Sequence, residues 1–124
     1  MKKKTLIGIF LVVVCMTLAG CGVPKDAELL EKDILFQDMS DNIAAAEIKY
    51  DKNYYKIEVS VMNLKTKYFT YSYIVDNKRY DIDIFMKQDE LATLKDGANI
   101  TILGKFDIVN NGYVKVKNAK VVSE

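Results

Sequence analysis

Apolar residues recur along this chain in three patterns, and each predicts a different kind of element. After Lys2, Lys3 and Lys4 comes a largely apolar run from Leu6 to about Leu18, closed by the small residues Ala19 and Gly20. Further on, apolar or small residues fall at Leu35, Met39, Asn42, Ala46 and Tyr50, which is one face of a helix. Asp26 is placed to cap that helical segment, and Glu28 and Glu31 put negative charge in its opening turns. Three consecutive alanines, Ala44 to Ala46, favour helix, while Ser40-Asp41-Asn42 marks a kink or a split in two. The segment is read as packed on the domain rather than lying on a membrane, because Asp38, Asp41 and Glu47 on its polar face would be repelled by anionic lipid.

From Tyr55 the period changes to two. Tyr55, Ile57, Val59 and Val61 predict the inner face of a first strand. A second strand covers Tyr68 to Val75, with Phe69, Tyr71, Tyr73 and Val75 inward and Thr70 and Ser72 outward. Asp76-Asn77-Lys78 reads as a hairpin turn, in which Asn77 tolerates positive φ. The third strand, Arg79 to Met86, sends Tyr80, Ile82, Ile84 and Met86 inward and Asp81, Asp83 and Phe85 outward. Gln88 to Lys95 predicts a short helix that buries Leu91 and Leu94 and stops at Gly97. A fourth strand runs from Asn99 to about Ile108, where Gly104 signals a bulge. Asn111-Gly112 predicts a tight hairpin with two positive φ values, followed by a fifth strand through Val114 and Val116 and a final pairing at Val121-Val122. The fold class is therefore mainly β with an N-terminal helix. Five strands with a short helix between the third and fourth is the connectivity of an OB-fold-like barrel.

The 124 residues leave room for one domain. Basic residues ahead of an apolar core, then small residues, make residues 1–20 a secretory signal peptide. Leu18-Ala19-Gly20-Cys21 resembles the lipobox of bacterial lipoproteins. That resemblance implies that Cys21 becomes the lipidated first residue and that residues 21–25 are a tether. Residues 26–50 then form the helical segment and 51–124 the OB-fold-like domain. The expected location is the outer face of the cell membrane, and the Lys-, Asn-, Ile- and Tyr-rich composition hints at a Gram-positive source.

Losing the signal also changes the charge. Three of the 18 basic residues are Lys2, Lys3 and Lys4; without them 15 face 17 acidic residues, a net of −2. A slightly acidic domain lacks the electrostatic footprint of a nucleic-acid binder. Cys15 leaves with the signal, so the mature chain keeps one cysteine and forms no internal disulfide. There is no histidine, which removes Cys/His and Ser/His/Asp nucleophile systems and histidine-based metal sites. No cofactor and no metal are expected, and the chain is read as a non-enzyme.

A family resemblance rests on the run from Asp89 to Gly104 (D-E-L-A-T-L-K-D-G-A-N-I-T-I-L-G), the Asn-Gly hairpin after it, and the ending V-K-V-K-N-A-K-V-V. Together with Leu35, Asn42, Ala46 and Tyr50 upstream, these resemble the tRNA_anti-like family of bacterial OB-fold lipoproteins over residues 33–122. The resemblance implies the fold and brings no established ligand or reaction. Where the family often carries a glycine in the first strand, this chain has Ser60-Val61.

OB-folds usually bind across their second and third strands. That gives a candidate ligand face of Tyr68, Thr70, Ser72, Asp81, Asp83 and Phe85. Asp81 and Asp83 share a side of their strand, but calcium wants six or more oxygens, so they are read as solvated. Tyr71, Tyr73 and Tyr80 share parity with Phe69, Ile82 and Ile84 and are read as core; Lys115, Lys117 and Lys120 form a small solvated stripe. The leading expectation is a non-catalytic module binding an envelope protein, peptide or glycan. Two carboxylates at the centre of the face would repel phosphates, so nucleic acid is not expected as a partner. An extracytoplasmic single-stranded nucleic-acid binder is the alternative.

Overall fold

Strands β3 (Tyr68–Val75) and β4 (Lys78–Phe85) form an antiparallel hairpin turned by Asp76 and Asn77, both at positive φ, 50° and 65°. The bounds of β3 are those the alternation predicts, because Phe69 and Tyr71 are buried while Thr70 and Ser72 are not. The protein is seen here in a computed structural model that describes residues 26–123; the expected signal peptide, Cys21 and the expected tether lie outside the described residues. Ahead of the hairpin come β1 (Leu29–Leu30), α1 (Lys32–Asp41), α2 (Ile43–Tyr50) and β2 (Tyr54–Ser60). After it come α3 (Gln88–Leu91), β5 (Asn99–Asn110) and β6 (Tyr113–Ser123).

All six strands belong to one sheet in the order β1-β2-β5-β6-β4-β3. Strand β4 runs parallel to β6, and β5 pairs antiparallel with both β2 and β6. With α3 between β4 and β5, this is an OB-like arrangement. Two features differ from the expected five-stranded barrel. Leu29 and Leu30 add a sixth, parallel strand against Lys56 and Ile57, so the helices are not N-terminal. The sheet is also open, since no ladder joins β2 to β3 among the described residues. Helix α1 covers that seam instead: Phe36 stacks on Tyr80 with centroids 4.5 Å apart and lies 5.6 Å from Tyr73.

The helical segment splits where the polar triplet falls. Asn42 is extended, donates its N–H to Asp38, and accepts from the Ala45 N–H at 3.1 Å, so it ends α1 and caps α2. It is exposed as a cap rather than part of the buried face, which consists of Leu35, Phe36, Met39, Ala46 and Tyr50. These side chains share one core with Ile57, Phe69, Ile82, Ile84, Ile102 and Phe106, so the segment packs on the domain. Asp26 is not the helix cap. The Glu28 carbonyl accepts from the Lys56 N–H at 2.9 Å, which draws residues 28–30 into the sheet and leaves Glu31 at the cap.

Three local expectations are also revised. Helix α3 ends at Leu91, and Leu94 reaches the core from the turn that follows. Neither Asn111 nor Gly112 takes positive φ; a register shift between Ile108 and Asn110 supplies the local twist there. The final strand is continuous to Ser123, broken in register opposite Gly104, where Asn118 sits at φ 52°.

Candidate ligand face

The hairpin register brings the predicted face together in three cross-strand rows: Tyr68 opposite Phe85, Thr70 opposite Asp83, and Ser72 opposite Asp81. Parallel pairing with β6 extends two of the rows, to Tyr113 beside Asp81 and Lys115 beside Asp83. The next strand adds Asp107 beside Lys115. Alternation alone places these side chains outward, because their neighbours Phe69, Ile82, Ile84 and Val114 fill the core.

The two carboxylates are not the bare pair that the sequence suggests. Thr70 Oγ1 donates to Asp83 Oδ1 at 2.7 Å, and the Tyr113 hydroxyl donates to the other Asp83 oxygen. Ser72 Oγ donates to Asp81 Oδ1 at 2.7 Å, and Arg79 Nε donates to the same oxygen at 2.9 Å. Burial, then the bond to Asp83, pushes the Tyr113 phenol up to about 12, so it remains a donor at neutral pH. Asp81 therefore carries its counter-charge with it, and Asp83 has a hydroxyl on each oxygen. Lys117 likewise meets Asp107 at 3.3 Å.

At one end of the face the character changes. Tyr68 and Phe85 stack with centroids 4.8 Å apart and planes 28° from parallel, and both stay half-exposed. Lys65 Nζ lies 5.8 Å from the Tyr68 ring centroid. Beside Phe85 a groove of about 700 Å³ is lined by Lys67, Lys87 and Lys120, with Asp89 and Glu90 also on its wall. Met86 and Ala119 form part of its floor. Such a groove offers an apolar bed flanked by ammonium groups.

Sequence reasoning found Tyr68 and Phe85 but missed the lysines around them. Lys120 read as one stripe with Lys115 and Lys117; the Asn118 irregularity separates it and turns it into the groove instead. Lys67 and Lys87 flank β3 and β4 at the same end of the hairpin, a juxtaposition that register makes and spacing does not show. Cys21, the lipidation candidate, lies outside the described residues. Among the described residues no group of three or more carboxylate, histidine or cysteine side chains gathers to hold a metal.

A crystal structure of a "putative nucleic acid-binding lipoprotein" from Klebsiella pneumoniae subsp. pneumoniae MGH 78578 superposes with a TM-score of 0.59 at 20% identity. The match covers 78% of this chain and 92% of that one. The chain shares that fold. A weaker likeness, TM-score 0.36 at 12% identity, is to Entamoeba histolytica asparaginyl-tRNA synthetase, over 60% of this chain and 21% of that one, too partial to bear on the argument. No family model matches the sequence, and no curated protein matches it. The tRNA_anti-like resemblance thus rests on its sequence motifs alone.

One expectation is overturned. Nucleic acid does not stand excluded as a partner, because the similar lipoprotein is itself described as nucleic acid-binding. The repulsion argument behind the exclusion is also halved by geometry, since Asp81 is paired with Arg79, while Asp83 keeps its charge and accepts from the Thr70 and Tyr113 hydroxyls. The Gram-positive source read from composition gains no support.

Proposed function

We propose that this chain is a lipid-anchored, extracytoplasmic, non-catalytic OB-like module that binds single-stranded nucleic acid. The observation that carries the reading is the Tyr68–Phe85 stack beside a groove lined by Lys67, Lys87 and Lys120. Single strands bind without sequence preference where aromatic rings offer a π-face to bases and a positive groove tracks the backbone. Both elements lie at one end of the strand pair that OB-folds use. The mature net charge of −2 does not oppose this, because attraction is set by local clustering: three lysines outnumber Asp89 and Glu90 around the groove, and Asp81 is paired with Arg79. The similar lipoprotein's description agrees with the reading.

The anchor belongs to the same proposal. Cys21 after a lipobox-like sequence would carry the lipid, and the few residues to Asp26 reach at most roughly 15 Å when extended. The ligand would then be met at the membrane surface. Retention of the detergent-solubilised full-length protein on immobilised single-stranded DNA tests the reading. Binding at low salt with release along a salt gradient is expected, since phosphate contacts give a steep salt slope. Passage through the column at low salt would refute it.

A further inference from the structure

Where α1 crosses the seam between β2 and β3, the strands part and leave a cavity of about 370 Å³. The backbone still bridges the seam at Thr70, whose N–H donates to Met62 at 3.0 Å; past that point no ladder continues. Lys32 enters from the first turn of α1. Its Nζ donates to the Glu58 carbonyl at 2.9 Å and lies 5.8 and 5.5 Å from the ring centroids of Tyr71 and Tyr73. Lys32 is half-buried, and among the described residues no carboxylate comes within 4.0 Å of its charge.

Tyr71 supplies a second, independent feature. Its side chain lines the same cavity and is 8% exposed, yet its hydroxyl makes no hydrogen bond to any described residue. No side-chain polar atom is both sealed from solvent and unpaired among the described residues, so this hydroxyl keeps contact with solvent, and Tyr71 stands on the wall of the cavity. Burial, then the charge of Asp33, raises the Tyr71 pKa and keeps the phenol a donor. On the facing wall Ser60 Oγ donates to Asn99 Oδ1 at 2.6 Å, which leaves the Asn99 amide nitrogen to donate elsewhere. Thr101 adds a hydroxyl beside it.

We propose that this cavity is a second binding site, for a small organic monocarboxylate bearing hydroxyl or amide groups, with its carboxylate held between Lys32 Nζ and the Tyr71 hydroxyl. One ammonium and one phenol give each carboxylate oxygen a donor, and the ammonium makes its bond charge-assisted. Glu58 also lines the cavity, and its charge would repel a phosphate dianion about twice as strongly as a monocarboxylate. Ser60, Asn99 and Thr101 suit the polar remainder of the molecule. The volume lies at the lower end of small-molecule sites, roughly 300–1,000 Å³. Tyr71 belongs to the inward parity of β3, whereas the nucleic-acid face uses its outward positions, so the two sites are independent.

The test titrates isotope-labelled, detergent-solubilised full-length protein with three probes: N-acetylalanine, its neutral amide, and inorganic phosphate. Backbone amide shifts are read by NMR. N-acetylalanine is expected to give saturable shifts at Ser60, Tyr71, Asn99 and Thr101 within tens of millimolar, and the neutral amide and phosphate to give none. Lys32→Met should weaken binding about tenfold or more, the size of a lost charge-assisted hydrogen bond. Tyr71→Phe should weaken it less, Lys32→Arg should restore most of it, and all three variants should bind oligonucleotides as the wild type does. Equal shifts from the neutral amide, tighter binding of phosphate, no saturable shift, or a folded Lys32→Met that binds normally would each overturn the proposal. So would a Lys32→Met that loses oligonucleotide binding as well. The wild-type comparison of probes stands even where a variant fails to fold.

Discussion

Asp38 on α1 accepts the hydroxyl of Tyr50 at the end of α2, tying together two helices that meet at Asn42. Lys49 adds an ammonium 3.2 Å from the same carboxylate. The Tyr50 bond, and after it Lys49, holds the Asp38 carboxyl below its usual range. Burial, reinforced by Asp38, pushes the Tyr50 phenol up to about 12. The two shifts act at opposite ends of the pH scale. A depressed carboxyl stabilises above its unfolded value and loses that contribution as pH falls through the lower folded one. A raised phenol stabilises fully below its ordinary value and loses the contribution as pH rises towards about 12. Tyr50→Phe is therefore expected to flatten both the acid and the alkaline limbs of a Tm-against-pH profile. A profile unchanged at both ends would show the bond to be inert.

Gly104 faces the irregularity of β6 at close range. A Cβ there would lie 2.4 Å from Val116 Cγ1 and 3.0 Å from the Lys117 carbonyl oxygen, and backbone cannot step aside. Gly104→Ala should cost about 1–3 kcal/mol, the usual range for overpacking. Gly112→Ala meets nothing nearer than 3.7 Å and needs no left-handed backbone, so its effect should stay within about 0.5 kcal/mol. Urea unfolding of the pair checks both. Equal losses would mean that the β5–β6 contact is looser than described.

Strand register can be tested at adjacent positions. Ile102 is wholly buried between β2 and β6, while Thr101 points the other way and is half-exposed. Ile102→Ala is expected to cost about 2–5 kcal/mol, and Thr101→Ala far less. A Thr101→Ala variant as damaged as Ile102→Ala would place the strand one residue out of register.

These tests also separate what alternation could reveal from what it could not. Inward positions such as Phe69, Ile82, Ile84, Ile102 and Val116 were readable because a strand with one wet face must alternate. The open seam was not readable. It depends on Phe36 and Lys32 of α1 occupying the space beside Tyr73, and no periodicity reports where a helix docks. The β5–β6 turn misled because Asn-Gly permits positive φ without requiring it, and a bulge can supply the twist instead. On the candidate face, the aromatic, hydroxyl and acidic members of the hairpin are visible from parity, whereas the partners Arg79 and Tyr113 are not. Tyr113 reaches Asp83 only through a parallel pairing of strands far apart in sequence, and the groove lysines come from three separate segments.

The proposed anchor has its own check. With lipid on Cys21, the protein should fractionate with membranes, since acyl chains bury about 0.8 kcal/mol per CH₂. Cys21→Ser should yield an unprocessed or released protein. Wild type found in the soluble cytosol would contradict the assignment.

The most direct measurement is the affinity of the solubilised full-length protein for a fluorescent single-stranded oligonucleotide, by anisotropy at several salt concentrations. The wild type is compared with Phe85→Ala and with Lys67→Gln/Lys87→Gln/Lys120→Gln. Removing the ring should cost about 1–3 kcal/mol, the usual worth of one stacked base. Neutralising the three lysines should flatten the slope of log affinity against log salt by about 2. Wild-type binding with these losses is the expected result. No binding at low salt, or binding that both variants retain with an unchanged slope, would contradict the assignment of a nucleic-acid site to the Tyr68–Phe85 groove.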